Sequence, residues 1–296
     1  MNKKNSLNLS RIVLGTAQFG MNYGISGSNK VPFEEVRKIL NFAKRHQLNT
    51  LDTAMGYGDC EQILGQAGGQ DWHVVTKSLA LPENKENIAQ WLLNSVEVSM
   101  DRLKTPQIHG LLLHRPSDLL GKFGPALYQS LQTCKERGYV RNIGLSIYNP
   151  SELDSILFRY PMDLIQAPFN VLDRRLETSG WLDRLHDSGV EVFVRSVFLQ
   201  GLLLMSPDQR PEQFGRWGVL WNEWDKWLED HRTSALGACL RCVLNRPKIK
   251  HVIVGVDSLA QLQGVLSNLD EEGSMPPSSL NMEDPELLNP SQWNIL

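Results

Sequence analysis

Several things are scarce in this chain. No run approaches the roughly 18 consecutive apolar residues that a membrane-spanning helix needs. The opening "MNKKNSLNLSRIVLG" has lysines but no apolar stretch after them, so it does not read as a secretory leader. Four cysteines, Cys60, Cys134, Cys239 and Cys242, are too few and too scattered for a disulfide framework. Lys plus Arg is 30 and Asp plus Glu is 33, a net charge of −3 that gives neither nucleic acid nor an anionic membrane a reason to bind. The expectation is a reduced, cytoplasmic protein. With 41% hydrophobic and 21% charged residues over 296 positions, it has enough apolar material for one large core.

What is present is alternation. Strand-like runs are "RIVLGTAQF", "NTLDTA", "WHVVTKS" and "IHGLLLHR", followed by "RNIGLSI", "DLIQAPF", "EVFVRSVF" and "HVIVGV". Between them lie helix-like segments. "FEEVRKILNFAKRHQ" sets Val36, Ile39, Leu40 and Ala43 on one stripe. "NIAQWLLNSVEVSMDRLK", "ALYQSLQTCKERG", "SELDSILFR" and "SGWLDRLHDSG" repeat the theme, several opening on a Ser or Asn suited to capping. Eight such runs alternating with helices over about 250 residues predict an α/β fold, the (β/α)8 barrel. An open doubly wound sheet would show a G-x-G-x-x-G turn after its first strand, which "GTAQFGMNYG" does not supply. The expectation is a single domain over 1–296, with its core at 11–268, a long loop after the seventh strand, and a C-terminal wrap over 269–296.

In such a barrel the C-terminal strand ends converge on one mouth. Asp52 closes the second run, with Tyr57 just beyond; Lys77 closes the third and His114 the fourth; Ser146, Gln166, Arg195 and Ser196 follow on the fifth to seventh. Taken singly, each has a bland reading: a cap, a rim aromatic, a snorkelling amine, a core imidazole. Together they form an acid, a phenol, an amine and an imidazole at one end. A lysine closing an apolar strand needs a counter-charge, and Asp52 is one strand away. The adjacent ammonium is expected to lower the phenol's pKa towards neutrality. This set can protonate an oxygen becoming an alkoxide, but it has no nucleophile and no metal-ligand set. The missing reagent is a reductant, which points to a bound nicotinamide.

The motifs "GTAQFG", "LDTAMGYG", "VVTKS", "LLLHRP", "GLSIYNPSEL", "QAPFN" and "VIVGVDSLAQL" resemble those of the aldo-keto reductase superfamily, from about residue 11 to 266. Within it, "LGTAQFGMNYGI" and "VRSVFLQGLLL" look like a bacterial branch often associated with surface-polysaccharide gene clusters. The resemblance implies an NAD(P)H-dependent reductase of a small-molecule carbonyl, an aldehyde or ketone with a sugar derivative as one candidate, with catalytic residues Asp52, Tyr57, Lys77 and His114. It places Gly15, Thr16, Asp52, Ser146, Gln166, Arg195, Ser196, Gly255, Asp257 and Gln261 on the cofactor. Ile147 stands where many relatives have Asn, and Arg195 where many stack a tyrosine on the nicotinamide. Gly264 and Val265 replace a Glu-Asn pair. NADP(H) is the family default; Asp257, in a segment that often meets the 2′-phosphate, leaves NAD(H) open.

Two other readings stand beside the reductase. One is a regulatory protein that binds nicotinamide on the same fold, as potassium-channel beta subunits do. The other is a cofactor-free isomerase using Lys77 as a Schiff-base amine, disfavoured because Asp52 would keep it charged. "CLRC" at Cys239–Cys242 reads as core cysteines, with no metal. Trp217, Trp221 and Trp224 fall on a helical stripe with Trp227 beside it, core packing or, as a lesser reading, a substrate lid. Substrate identity and oligomeric state are not legible.

Overall fold

The structure, a computed structural model, describes residues 8–25, 29–82 and 87–295. Its strands are β1 (Ile12–Gly15), β2 (Thr50–Asp52), β3 (His73–Lys77), β4 (Ile108–Leu113), β5 (Val140–Ser146), β6 (Leu164–Pro168), β7 (Glu191–Arg195) and β8 (His251–Gly255). All pair in parallel in sequence order, and β8 pairs back with β1, closing the barrel. The apolar runs are strands because both faces of each are covered, one by the barrel interior and one by helices. A separate cluster, Val13, Val75, Leu112, Leu164, Phe193 and Ile253, fills the interior.

Helix Phe33–Arg45 buries Val36, Ile39, Leu40 and Ala43, the stripe its spacing predicts. Asn87 caps helix Ile88–Leu103 by accepting from the Gln90 amide at 3.0 Å. Ser151 does not cap its helix through its side chain; instead Glu152 Oε1 accepts from the amides of Tyr148 and Asn149 at 2.8 and 2.7 Å.

The first run is shorter as a strand than it reads. Thr16 leaves the ladder, with both its amide and its Oγ1 donating to the Asp52 carbonyl at 3.0 and 2.9 Å, and Ala17–Gly20 turn into helix. Gly20 has no room for a side chain: a Cβ there would sit 1.9 Å from the Tyr57 carbonyl oxygen. The β1 loop is thereby pressed against the β2 loop.

The Trp-rich segment is core. Helix Gly218–Asp230 buries Trp221, Trp224 and Trp227, with Trp217 buried just before it. Trp224 Nε1 donates to the Leu203 carbonyl at 3.2 Å, Trp221 Nε1 to that of Phe214 at 2.9 Å, and Trp217 Nε1 to Asp284 at 3.0 Å. All four cysteines are buried and free. The C-terminal segment lies on the barrel's flank: Arg174 Nη2 donates to the carbonyls of Pro276 and Pro277, the Met282 amide to that of Leu172, and Trp293 meets Phe214 edge-on.

Candidate active site

Strand register brings the polar ends together. Gly15 lies opposite both Asp52 and Gly255, Lys77 opposite Leu112, Ser146 opposite Gln166, and Pro168 opposite Arg195. Lys77, 1% exposed, has three acceptors: both Asp52 carboxylate oxygens at 2.9 and 2.8 Å and the Thr53 carbonyl at 2.9 Å. Gln166 Nε2 donates to Asp52 Oδ1 at 2.6 Å. The ion pair is thus buried and fully hydrogen-bonded, the condition under which such a pair is tolerated.

Tyr57 sits in the loop beyond β2, its amide bonded to the Ala54 carbonyl and Gly58 behind it at φ +57°. Lys77 Nζ lies 5.2 Å from the centre of its ring, and the His114 ring meets it edge-on at 6.2 Å between centroids. The expectation that the ammonium lowers the phenol's pKa is not met. Burial, then the Asp52 carboxylate, hold Tyr57 above the ordinary value of a tyrosine, with Arg195 opposing. The physical reason is that the field of Lys77 is cancelled by the carboxylate clasping it, while the phenol loses water. His114 is pushed down to about 4 by burial, with Lys77 and Arg195 adding and Asp52 opposing, so its imidazole is neutral at physiological pH.

A cavity of about 430 Å³ opens beside this cluster. Asp52, Tyr57, Tyr23 and Arg195 line one part of it, Gly15 to Gln18 and Ser196 to Phe198 another, and Gly255, Asp257, Gln261, Gly264 and Val265 a third. Of the sequence-predicted residues, Gly15, Thr16, Asp52, Tyr57, Arg195, Ser196, Gly255, Asp257 and Gln261 face it. Lys77, Ser146 and Gln166 are buried at the adjoining strand ends, and His114 stands against the Tyr57 ring. The four tryptophans do not line it, so the lid reading fails.

The cavity wall and the strand ends beside it hold polar atoms that the protein leaves without partners. Gln166 Oε1 and Asp257 Oδ1 are buried and unbonded among the described residues. The Asp257 amide donates to Gln261 Oε1 at 2.7 Å, and burial raises the pKa of its carboxyl group. Beyond β7 the loop is wound left-handed at Ser196, Leu199, Gln200 and Gly201, with φ of +60°, +47°, +52° and +93°. Its Gln200 carbonyl accepts from the Ile25 amide at 3.4 Å, so loops from β1 and β7 touch at the cavity's edge.

Sequence reasoning missed Tyr23, Tyr148 and Gln200. Tyr23 lines the cavity near Tyr57, and Tyr148 lies under the Arg195 guanidinium at 4.5 Å. Tyr23 lies in "GMNYG", whose glycines mark a loop at the mouth; that was the one available signal.

Comparison with known proteins agrees with the motifs and the barrel. The chain is 26% identical over 208 residues to aldo-keto reductase YhdN of Bacillus subtilis, covering 66% of this chain and 60% of the relative. It is 27% identical over 222 residues to the NADH-specific methylglyoxal reductase of Escherichia coli, covering 67% and 66%. These matches therefore span a little under two thirds of each relative's length. Among solved structures, aldo-keto reductase AKR11C1 of Bacillus halodurans superposes with a TM-score of 0.70 at 24% identity, covering 91% of this chain and 88% of that one. The glycerol dehydrogenase AKR11B4 of Gluconobacter oxydans gives 0.68 at 23%, covering 90% and 88%; both are likenesses of fold. The family model for the aldo/keto reductases matches residues 11–274, and the chain belongs to that family.

Proposed function

We propose that this chain is a nicotinamide-dependent oxidoreductase that reduces a small carbonyl compound to the alcohol, with Tyr57 as proton donor. The observation that carries this is the buried Asp52–Lys77–Gln166 cluster set behind the half-buried Tyr57 phenol on a cavity wall. When bound, the nicotinamide supplies hydride to the carbonyl carbon. Tyr57, kept protonated by burial, gives its proton only to a base stronger than a phenolate, and an oxygen turning into an alkoxide is such a base. The phenolate then left is met by Arg195, the cation that lowers its pKa, with Lys77 Nζ at 5.2 Å from the ring. Lys77 has no spare hydrogen for substrate; its work is to fix Asp52 and Gln166. His114, neutral, offers one ring N–H to hold the carbonyl oxygen.

The cofactor fits the unpartnered atoms. Gln166 Oε1 suits an amide donor of the carboxamide, with Ser146 opposite it in register. Gly15, Gly255 and Gly264 allow close backbone approach along the cavity, with Thr16 and Ser196 beside them on its wall. Asp257 Oδ1, buried and unbonded, suits a ribose hydroxyl and repels a 2′-phosphate. Arg195 is the only Lys or Arg among the described residues that line the cavity. NAD(H) is therefore the preferred form.

Two measurements test this. Tyr57→Phe should lower carbonyl-dependent NADH oxidation by about 10²–10⁴-fold while calorimetry still shows NADH binding. A variant as fast as the wild type across a broad carbonyl panel would remove Tyr57 from its role. Parallel titration should favour NADH over NADPH by about tenfold or more; the reverse order would overturn the reading of Asp257.

A further inference from the structure

Arg195 carries a charge that its neighbours do not neutralise. Its Nη1 donates to Ser196 Oγ at 3.2 Å and its Nη2 to the Ile147 carbonyl at 3.0 Å, both uncharged acceptors. Its guanidinium lies 4.5 Å over the Tyr148 ring, which covers one face. Among the described residues it forms no ion pair with any carboxylate. A half-buried arginine left this way is costly unless something else supplies the anion. Capping the Ile147 carbonyl needs one neutral N–H, which a glutamine could provide. Beyond the Tyr148 ring and the Tyr57 phenolate proposed above, neither of which is a resident counter-ion, the charge has no anionic partner among the described residues.

Where that charge acts is also clear. Arg195 and Tyr57 line the same cavity, together with Tyr23. The titrations of Tyr57, Tyr23 and His114 all respond to Arg195, so its field reaches the place where the carbonyl oxygen must lie. Ser196 and Ile147 take two of the five guanidinium N–H bonds, and the three that remain are enough for a two-point donation to an oxyanion.

Resting on the reductase reading above, we infer that Arg195 selects small carbonyl substrates bearing an oxyanion, a carboxylate or a phosphate, near the carbonyl group. The site therefore discriminates by charge as well as by size, and the family resemblance's role for this position, stacking on the nicotinamide, is at most a part of what the residue does.

The test uses matched pairs with saturating NADH: 4-oxobutanoate against butanal for the carboxylate, and glyceraldehyde 3-phosphate against glyceraldehyde for the phosphate. In the wild type at least one anionic member should have the higher kcat/KM, and the favoured pair identifies the anion. Arg195→Gln should cut that ratio by roughly ten- to hundredfold, the scale of a lost charge-assisted hydrogen bond, while Arg195→Lys keeps part of it. Any effect on cofactor binding is common to both members and cancels in the ratio. Equal kcat/KM within both wild-type pairs, or a ratio unchanged in Arg195→Gln, overturns the inference and leaves the reductase reading standing. Absence of turnover with every carbonyl overturns both.

Discussion

Three acceptors take the three N–H bonds of Lys77, and Asp52 in turn accepts from Gln166. Lys77→Met would strand a buried carboxylate, and breaking one partner of such a pair costs about 3–5 kcal/mol. Denaturant unfolding should show that loss. It should largely disappear in Asp52→Asn/Lys77→Met, where an amide oxygen still accepts from Gln166 and no charge remains. A Lys77→Met protein within about 1 kcal/mol of the wild type would mean that Asp52 finds another partner or a proton. Which residues meet here was legible, because polar groups ending apolar runs converge in a barrel. Their protonation was not. The direction of the Tyr57 shift depends on burial depth and on the closeness of the Asp52–Lys77 contact, and neither is encoded in spacing. The unbonded oxygens of Gln166 and Asp257 were equally invisible, since an absent partner is a property of packing.

At the scale of the element, helix Gly218–Asp230 does more than fill space. Trp224 is fully buried, stacks on Trp227 at 5.8 Å between centroids and holds the Leu203 carbonyl. Leu203 belongs to the turn Leu199–Leu204, whose Gln200, Gly201 and Leu204 line the cavity. Left-handed Leu199 and Gln200 are strained conformations for non-glycine residues and persist only where their surroundings impose them. Trp224→Ala should therefore cost about 3–5 kcal/mol in unfolding and also weaken NADH binding. Unfolding within 1 kcal/mol of the wild type would contradict this account. The helical period of the tryptophans could be read from the sequence and favoured a core role. Their indole bonds to the β7 loop could not, because the acceptors are backbone carbonyls without a sequence signature.

Across the whole molecule, acid sensitivity is divided between the two ends of the barrel. His109 and His251 lie at the beginnings of β4 and β8, away from the cavity, and burial holds both near pKa 4, as it does His114 at the other end. An unfolded histidine binds its proton near pH 6.5. Between that value and 4 the unfolded chain thus holds more protons, so stability is full above about pH 6.5 and declines as pH falls through the interval. The raised carboxyl of Asp257 works in the opposite sense. Thermal unfolding should show a lower midpoint at pH 5 than at pH 7, with a smaller drop in His251→Leu, whose ring otherwise packs on Phe193. A midpoint flat between pH 5 and 7 would show that these imidazoles keep water when folded. Strand number and order were legible from alternating runs alone, whereas this histidine cluster was not, since His73 and His109 meet through the β3–β4 register and His251 joins them only through barrel closure.

That closure also separates what can vary from what cannot. With β8 joined to β1, no ladder edge remains open to a foreign strand, and Gly15, Asp52, Lys77 and Gly255 are fixed by their register. Tyr23, Ser196, Gln200 and Leu204 lie beyond the strand ends. Exchanging those loops should retool which molecule is accepted while leaving the staves, and the Asp52–Lys77 pair anchored among them, as they are.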